Sequence, residues 1–513
     1  MKMPKKKENS IVNSTLQLTI VVLFIKVLGL AKKSIIAAVC GATAETDAFF
    51  IASEVIVALC AVFFSSISIS LLSMHTQRLF DEGWKSSNNL INVVLRVFIP
   101  ISAVIALVFV IFSENISKLL APSYEGAQLR DLSNYIKIMA VMFVFSCYYL
   151  IINVVLETDK KFLPGKGQAL FQNLFVILAA LFFYPRIGVS ALLWAFVFAG
   201  VAQCIQITWN SRKIFKFQRK VSGEKDSIKK LMYLAGPLLV GNAIYEINDI
   251  VDKQISSGLG HGGVSVLSYG ASINEIVTTM IITSLSTVLF SHYATWIAEG
   301  KIKQVGENLK QSLEYLLVII MPILVMCFVA GDTIVGILYG RGNFGAEAIK
   351  ETNGVVMGYA AGFFFQAVRA TVVRVYYAFQ NTKTPMINGA ISVGVNVILS
   401  IVLSRFIGAA GIALATSIAM LLVTVLLLPG VYKLIPGFSL KSCGRDYAKI
   451  LLASGIVWIT AYMLRRLLNT GVYLSFFIMG CYIVCSYIIL VMVFKVTSVK
   501  DAASKLKALV RRS

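Results

Sequence analysis

Apolar runs of roughly 18 to 25 residues recur along the whole chain and alternate with short polar segments. A run of this length lets an α-helix cross about 30 Å of hydrocarbon, whereas a transmembrane barrel shows alternating segments of about ten residues. The pattern therefore predicts an all-α polytopic membrane protein with about fourteen transmembrane helices. The predicted spans are residues 10–31, 47–75, 88–112, 132–156, 167–184, 187–209, 231–256, 264–296, 310–331, 352–379, 385–405, 409–430, 447–466 and 471–494.

Composition agrees with this pattern. Of the 513 residues, 58% are hydrophobic and 14% are charged, and the mean hydropathy is +0.80. Soluble globular chains are about half apolar and about a quarter charged. The basic start MKMPKKKENS precedes an apolar run that contains Lys26 and has no small-residue cleavage site, so we expect a retained first helix and not a signal peptide.

Basic residues give the chain a net charge of +22 and also indicate its orientation. If the N-terminus is cytoplasmic, most Lys and Arg residues fall in the loops and tails on that side, as the positive-inside rule requires. We therefore expect both termini to be cytoplasmic. The run SRKIFKFQRK is typical of a juxtamembrane loop that faces anionic lipid, so no nucleic-acid partner is predicted.

The basic segment 211–230 divides the helices into two sets. We predict an N-terminal lobe at 1–210 with helices 1–6, a cytoplasmic linker at 211–230, and a C-terminal lobe at 231–430 with helices 7–12. Residues 431–513 would hold helices 13 and 14 and a basic cytoplasmic tail. The lobes show a weak parallel repeat in which Lys33 aligns with Lys253 and, within one residue, Glu54 aligns with Glu275. This repeat predicts a pseudo-two-fold axis along the membrane normal. Transporters commonly bind substrate between such repeats.

Charged residues inside the predicted spans carry the functional signal, because a charge at the membrane centre costs at least about 2.5–3.5 kcal/mol. Such residues must face the bundle interior or a wet cavity, or reach an interface from near a helix end. The basic ones are Lys26, Lys32, Lys33, Arg96, Arg369 and Arg374; the acidic ones are Asp47, Glu54, Glu246, Asp249, Asp252 and Glu275. Their distribution predicts a cationic, water-filled cavity built at least partly by helices 1, 2, 8 and 10. Its ligand should be anionic, because ammonium and guanidinium groups in a low dielectric favour phosphate.

Several of these residues have two possible roles. We expect Lys26 to face the cavity and Lys33 to extend to the outer interface. Asp47 either caps helix 2 or has a functional role, since a carboxylate is favourable at a helix N-terminus. Glu54 and Glu275 lie too deep for capping, which leaves an ion pair, a coupling-ion site or a lysine partner.

Cysteines give no sign of a metal or redox centre. The eight cysteines lie mostly in apolar segments, and Cys481 and Cys485, one turn apart, are joined by no His or carboxylate. We interpret them as small packing residues and predict no cofactor.

The stretch KVLGLAKKSIIAAVCGATAETDAFF at 26–50 resembles the lipid II flippase family MurJ (MviN) of the multidrug/oligosaccharidyl-lipid/polysaccharide exporter superfamily. Two further stretches, LYGRGNFGAEAI at 338–349 and RVYYAFQNTKTP at 374–385, are similar to the same family. The resemblance extends over nearly the whole chain and implies a 6+6+2 arrangement of helices. It implies a flippase that moves an undecaprenyl-diphosphate-linked glycan, lipid II for peptidoglycan synthesis, to the outer leaflet of the bacterial plasma membrane by alternating access.

The resemblance also implies roles for individual residues. Lys26 and Lys32 occupy the two basic positions of helix 1 and would bind the diphosphate, and Asp47 and Glu275 would pair with the cations or gate the lobes. From their charge inside the predicted spans, we expect Arg369 and Arg374 on helix 10 to join the diphosphate site and Glu54 to join the pairing or gating carboxylates. A groove beside helices 13 and 14 would carry the polyprenyl tail. The protein would act as a monomer, coupled to the membrane potential, Na⁺ or H⁺.

This chain departs from the family pattern at two cationic positions. Cys60 stands where helix 2 usually has an arginine, and Ser272 where helix 8 usually has one. The cargo therefore stays open between lipid II and another surface-polysaccharide precursor.

Two other classes of function compete with a flippase. A cation-coupled multidrug exporter of the same superfamily would need an acidic cavity. A membrane enzyme would need positioned acid and base groups, usually on sizeable outer loops. The outer loops near 113–131 and 332–351 are short and carry no such motif, so no enzymatic activity is predicted.

Overall fold

A computed structural model describes residues 5–218, 225–279, 293, 295–468 and 470–497. All regular elements in these ranges are helical, which confirms the all-α class. Ten helical stretches of the described chain are long and apolar enough to cross a bilayer, judged by length and composition.

The chain packs into two compact units. Unit 1 comprises Met1–Ser265 together with Arg341–Phe344, and unit 2 comprises Val266–Gly340 together with Gly345–Ser513. The described helices up to residue 257 are α1 Lys5–Cys40, α2 Ala44–Ile111, α3 Ser113–Leu120, α4 Gly126–Met139, α5 Met142–Thr158, α6 Gly167–Phe182, α7 Tyr184–Ile187, α8 Ser190–Ser211 and α9 Lys225–Ser257. The remaining ones are α10 Gly263–Val277, α11 Ile302–Tyr339, α12 Ala346–Ala360, α13 Phe363–Ala378, α14 Lys383–Ile407, α15 Ala409–Leu434, α16 Gly444–Leu467 and α17 Val472–Val493. Part of predicted helix 8, 264–296, lies outside the described residues.

Helix α1 ends nine residues later than the sequence predicted. It continues through Lys32 and Lys33 to Cys40 because the segment contains no helix breaker. Gly41 then adopts φ +69° and donates its N–H to the carbonyl of Ala37 at 2.9 Å, which terminates the helix in the left-handed conformation that glycine favours. Lys32 and Lys33 therefore lie inside α1 and not at its outer end.

Helix α2 contains two predicted spans. At 1.5 Å per residue its 68 residues would extend about 100 Å, roughly three times the hydrocarbon thickness. Gly83 interrupts it with φ 81° and ψ 179°, so predicted helices 2 and 3 are the segments before and after this residue. The gap between predicted helices 2 and 3 implied a loop at 76–87. That prediction is wrong, because the segment is helical on both sides of Gly83.

Within unit 1, polar side chains join α2 to its neighbours. Ser68 Oγ donates to the carbonyl of Leu150 in α5 at 3.1 Å, and Asn242 of α9 donates to Ser66 Oγ at 3.1 Å. The amides of Asn88 and Asn92 bind the backbone of the segment after α8, at Ile214 and Lys216. These bonds tie α2 to α5, to α9 and to the segment after α8.

Within unit 2, α16 and α17 pack against α11. Their shared core is a buried apolar cluster that includes Val325, Val457, Ile483 and Tyr487. At one end of this interface Arg465 forms an ion pair with Asp332. The opposite faces of α16 and α17 expose large apolar side chains, as expected for helices in contact with lipid tails.

The division into units by packing differs from the division predicted by the repeat. Helix α9, predicted as the first helix of the C-terminal lobe, packs extensively against α2 in unit 1. The predicted lobes at 1–210 and 231–430 follow chain connectivity and stay a prediction.

Candidate functional site

Three lysines of α1 lie in unit 1 at intermediate exposure. Lys26 follows buried Ile25, whose carbonyl accepts a hydrogen bond from the amide of Asn173 in α6 at 3.2 Å. This bond holds the middle of α1 against α6. The ammonium of Lys32 lies 5.7 Å from the ring centroid of Phe196, a cation–π contact that partly compensates its loss of water.

Glu54 connects three helices of unit 1. Its Oε1 is 3.0 Å from Lys33 Nζ of α1, and its Oε2 is 3.2 Å from Lys253 Nζ of α9. The side chain of Lys33 is 18% exposed, that of Glu54 28% and that of Lys253 15%, so both ion pairs are partly buried. We call Lys33, Glu54 and Lys253 the Glu54 triad. It carries a formal charge of +1, with one lysine at each oxygen of the carboxylate. The carboxylate of Asp249, one turn before Lys253 on α9, also acts electrostatically on Lys253 and Glu54.

The triad corrects the predicted position of the Lys33 side chain. We expected this side chain to extend to the outer interface, but it points to Glu54 and also lies 5.4 Å from the ring centroid of Phe50. That expectation was wrong because α1 is longer than predicted, so Lys33 lies about two turns before the helix end.

Asp47 is fully buried and caps another helix. Its Oδ2 accepts the N–H of Gly262 at 2.7 Å, and its Oδ1 accepts the N–H of Ser265 at 2.7 Å and the hydroxyl of Ser265 at 2.5 Å. These donors belong to the first turn of α10 and the residue before it, where backbone N–H groups lack helical partners. Helix α2 itself is capped by Thr43, whose hydroxyl accepts the N–H of Thr46. Asp47 is thus a helix cap, but for α10.

The segment Arg341–Phe344 belongs to unit 1 although it follows a helix of unit 2. Asn343 donates its backbone N–H to the carbonyl of Ala38 at 2.8 Å and its side-chain amide to the carbonyl of Val39 at 2.7 Å. Gly342, at φ +57°, approaches the Ala38 carbonyl so closely that a Cβ would overlap it. The segment Arg341–Phe344 therefore docks on the end of α1, within the first family-like stretch.

The other predicted site residues lie in unit 2. Arg369 and Arg374 lie on α13 at intermediate exposure, and Glu275 lies exposed on α10. Near Glu275, Thr278, the first residue after α10, donates to Gln366 Oε1 of α13 at 2.9 Å. The roles of these three residues stay predictions.

Apolar or hydroxyl side chains fill the two positions that lack the family arginine. Cys60 is buried in α2. Ser272 is buried in α10 and donates to the carbonyl of Ser268 at 2.8 Å. In the described part of the chain, no group of three His, Cys, Asp or Glu side chains is placed to hold a metal ion.

Sequence reasoning missed Lys253 as a member of this site. The weak repeat aligned it with Lys33, and that alignment was the available signal. Asn343 was part of a quoted motif, but nothing local to its sequence shows that it binds α1.

Solved structures of transporters share this fold. The structure titled "Lipid II flippase MurJ, inward closed conformation" matches with a TM-score of 0.81 and 24% identity, covering 93% of this chain and 98% of that chain. An inward-facing multidrug resistance MATE family transporter of the MOP superfamily matches with a TM-score of 0.68 and 11% identity, covering 80% of this chain and 94% of that chain. The chain thus has the polytopic helical fold of these proteins.

Sequence comparison identifies the family. Residues 36–482 match the family described as "Lipid II flippase MurJ", and the chain belongs to this family. Among curated relatives, a "Probable lipid II flippase MurJ" of Rhizobium tropici is 25% identical over 87% of this chain and 86% of its own length. One of Thermotoga maritima with the same description is 23% identical over 89% of this chain and 91% of its own length. The chain is therefore a multi-pass membrane transport protein and not an enzyme.

Proposed function

We propose that this chain is a lipid II flippase that moves an undecaprenyl-diphosphate-linked glycan from the inner to the outer leaflet for peptidoglycan synthesis and cell-wall biogenesis. The observation that carries the proposal is the family match across residues 36–482. Half-buried lysines on α1 supply chemistry that fits it, because ammonium groups removed from bulk water bind phosphate oxygens through charge-assisted hydrogen bonds.

In this proposal, Lys26, Lys32, Arg369 and Arg374 bind the diphosphate. Asp47, Glu54 and Glu275 pair with cations or gate access to the site as it opens to each side of the membrane in turn. The polyprenyl tail lies in an apolar groove beside α16 and α17, whose outer faces expose leucine and isoleucine side chains such as Leu452 and Ile459.

We further propose a monomer in the bacterial plasma membrane with both termini in the cytoplasm. It needs no cofactor, and its transport is coupled to the membrane potential, Na⁺ or H⁺. A net charge of +22 concentrated in the predicted cytoplasmic loops supports this orientation.

Complementation tests the cargo. A bacterial strain depleted of its own lipid II flippase should recover growth and cell shape when it expresses this chain, and should not recover with Lys26→Ala. Immunoblotting of membranes would establish that the variant is inserted in equal amount. Absence of rescue by the abundant wild-type chain would favour a different surface-polysaccharide precursor.

The multidrug exporter is the second candidate, favoured by the fold shared with the MATE transporter. Everted vesicles that contain the protein distinguish the two functions. An exporter would accumulate a fluorescent organic cation in the vesicles. A lipid II flippase would leave the cation distribution unchanged and move the lipid-linked glycan into the lumenal leaflet, where an external reagent cannot reach it.

A further inference from the structure

The Glu54 triad is an anion site that already contains an anion. Two ammonium groups, from Lys33 and Lys253, approach the two oxygens of one carboxylate at 3.0 and 3.2 Å. A phosphate group offers the same partners, namely two oxygens that share negative charge. We propose that Lys33 and Lys253 form a second binding station for the diphosphate, and that Glu54 is a resident carboxylate that the diphosphate displaces. This inference rests on the proposed flippase function.

The triad has the electrostatic features that such exchange requires. Two partly buried lysines without an anion would repel each other and lose hydration without compensation. Glu54 neutralises one of their two charges and keeps both ammonium groups at one point while the substrate is absent. Asp249 and Asp252, on the same helix as Lys253, offset part of the remaining positive charge. A diphosphate carries more negative charge than a carboxylate, so it can compete with Glu54 for the same two donors.

The station lies at a different depth from Lys26. Lys33 follows Lys26 by seven residues on the continuous helix α1, which places it on nearly the same face about 10 Å further along the axis. Lys253 lies one turn before the end of α9 at Ser257. In the proposed orientation, Lys26 lies on the cytoplasmic side of the triad, so the headgroup would reach Lys26 first and the triad second.

Glu54 gives the second station a means of release. A site on a transport path must bind strongly enough to accept the substrate and weakly enough to let it leave. When the diphosphate departs, Glu54 returns to Lys33 and Lys253, and the two lysines are not left unpaired. Lys253 thereby adds a cation in a chain that has Cys60 and Ser272 at two family arginine positions.

Binding of undecaprenyl diphosphate to the purified full-length protein in detergent tests the proposal. Lys253→Gln should weaken binding about tenfold, because one charge-assisted contact is lost. Glu54→Gln should strengthen binding several-fold and slow the flipping of lipid II in liposomes, because the competing carboxylate is gone. The matched control is the ion pair of Lys118 and Glu114, whose side chains are 60% and 65% exposed and whose atoms are also 3.0 Å apart. Lys118→Gln and Glu114→Gln should leave binding and flipping unchanged.

The opposite effects of Lys253→Gln and Glu54→Gln on binding affinity distinguish a binding station from a purely structural ion pair. If the triad only stabilised the fold, Lys253→Gln and Glu54→Gln would both lower the melting temperature and leave affinity equal to that of the wild type, which would overturn the proposal. If Glu54→Gln yielded no folded protein, Glu54→Asp would replace it, and unchanged affinity of Lys253→Gln would still overturn the station. Should the wild type bind no undecaprenyl diphosphate and flip no lipid II, the proposed function itself would fail. Loss of flipping in Lys26→Ala alone, with normal Lys253→Gln, would reject only the second station.

Discussion

The carboxylate of Asp47 is fully buried and binds three donors that lie 215 to 218 positions later in the chain. It joins the start of α2 to the start of α10. An ionised acceptor at a helix N-terminus is favourable because the backbone N–H groups there are unpaired and the helix dipole is positive. Its removal would leave these buried donors unsatisfied.

We expect Asp47→Asn to lower the stability of the protein by about 1–3 kcal/mol, because the amide loses the negative charge and cannot accept with both of its polar atoms. Thermal melting in detergent, followed by size-exclusion fluorescence, measures the change. Glu45→Gln is the control, since Glu45 is exposed in the same first turn of α2. Equal melting temperatures for Asp47→Asn and the wild type would contradict the capping role.

Residue patterns indicated which charges matter but not their partners. The sequence pointed to Asp47 as a helix-terminal carboxylate, and local spacing naturally suggested its own helix as the one it caps. The contact with Ser265 depends on how α9 and α10 fold back, which no periodicity reveals. Glu54 was correctly excluded as a cap by its depth, but its pairing with Lys253 also depends on long-range packing.

The segment Arg341–Phe344 is a structural element that binds the end of α1 through backbone geometry. Gly342 adopts φ +57° and faces the carbonyl of Ala38, while Gly41 faces the carbonyl of Asn343, where a Cβ would stand only 2.7 Å away. Two glycines thus permit a close approach of two backbones that any side chain would prevent.

Gly342→Ala should therefore destabilise the protein more than an alanine at a glycine of similar φ with open space. Gly126 is that control, with the same φ of +57° and no atom within 4 Å of its would-be Cβ. Gly126→Ala should cost about 1–2 kcal/mol from backbone strain alone, and Gly342→Ala about 1–3 kcal/mol more from the clash. Equal falls in the melting temperatures of both variants would show that the close contact between Gly342 and Ala38 does not contribute to stability.

At the scale of elements, predictions were sound where the apolar pattern is long and less so at helix ends. The predicted end of α1 near residue 31 rested on the charge of Lys32 and Lys33, but glycine conformation at Gly41 decides where the helix stops. The polar segment 76–87 predicted a loop, although α2 breaks only at Gly83. Polarity alone does not end a helix, since exposed helical turns accept polar residues.

At the scale of the whole molecule, the charge distribution predicts orientation. Reporter fusions test it: green fluorescent protein inserted after residue 218 should fluoresce, because this basic segment is proposed to be cytoplasmic. The same reporter inserted near residue 123, in the loop between α3 and α4, should be dark, and a periplasmic phosphatase there should be active. The reverse pattern would invert the proposed topology.

The negative charge of the proposed substrate predicts how the membrane potential acts on transport. Moving a diphosphate-linked lipid from the inner to the outer leaflet carries negative charge outward, which an inside-negative potential favours by about 2.3 kcal/mol per charge per 100 mV. Flipping in liposomes should therefore accelerate when a potassium gradient and valinomycin impose that potential. No response to the potential, with acceleration by a Na⁺ or H⁺ gradient, would indicate ion coupling instead.

Lipid II flipping by the purified protein in liposomes tests the central claim most directly. The wild type should expose inner-leaflet lipid II to an external glycan-modifying reagent, and Lys26→Ala should slow this at least tenfold, since Lys26 is proposed to contact the diphosphate. Lys85→Ala, which removes an exposed lysine of α2, should match the wild type. A wild-type protein that exposes no more lipid II than empty liposomes, or a Lys26→Ala variant as fast as wild type, would contradict the account.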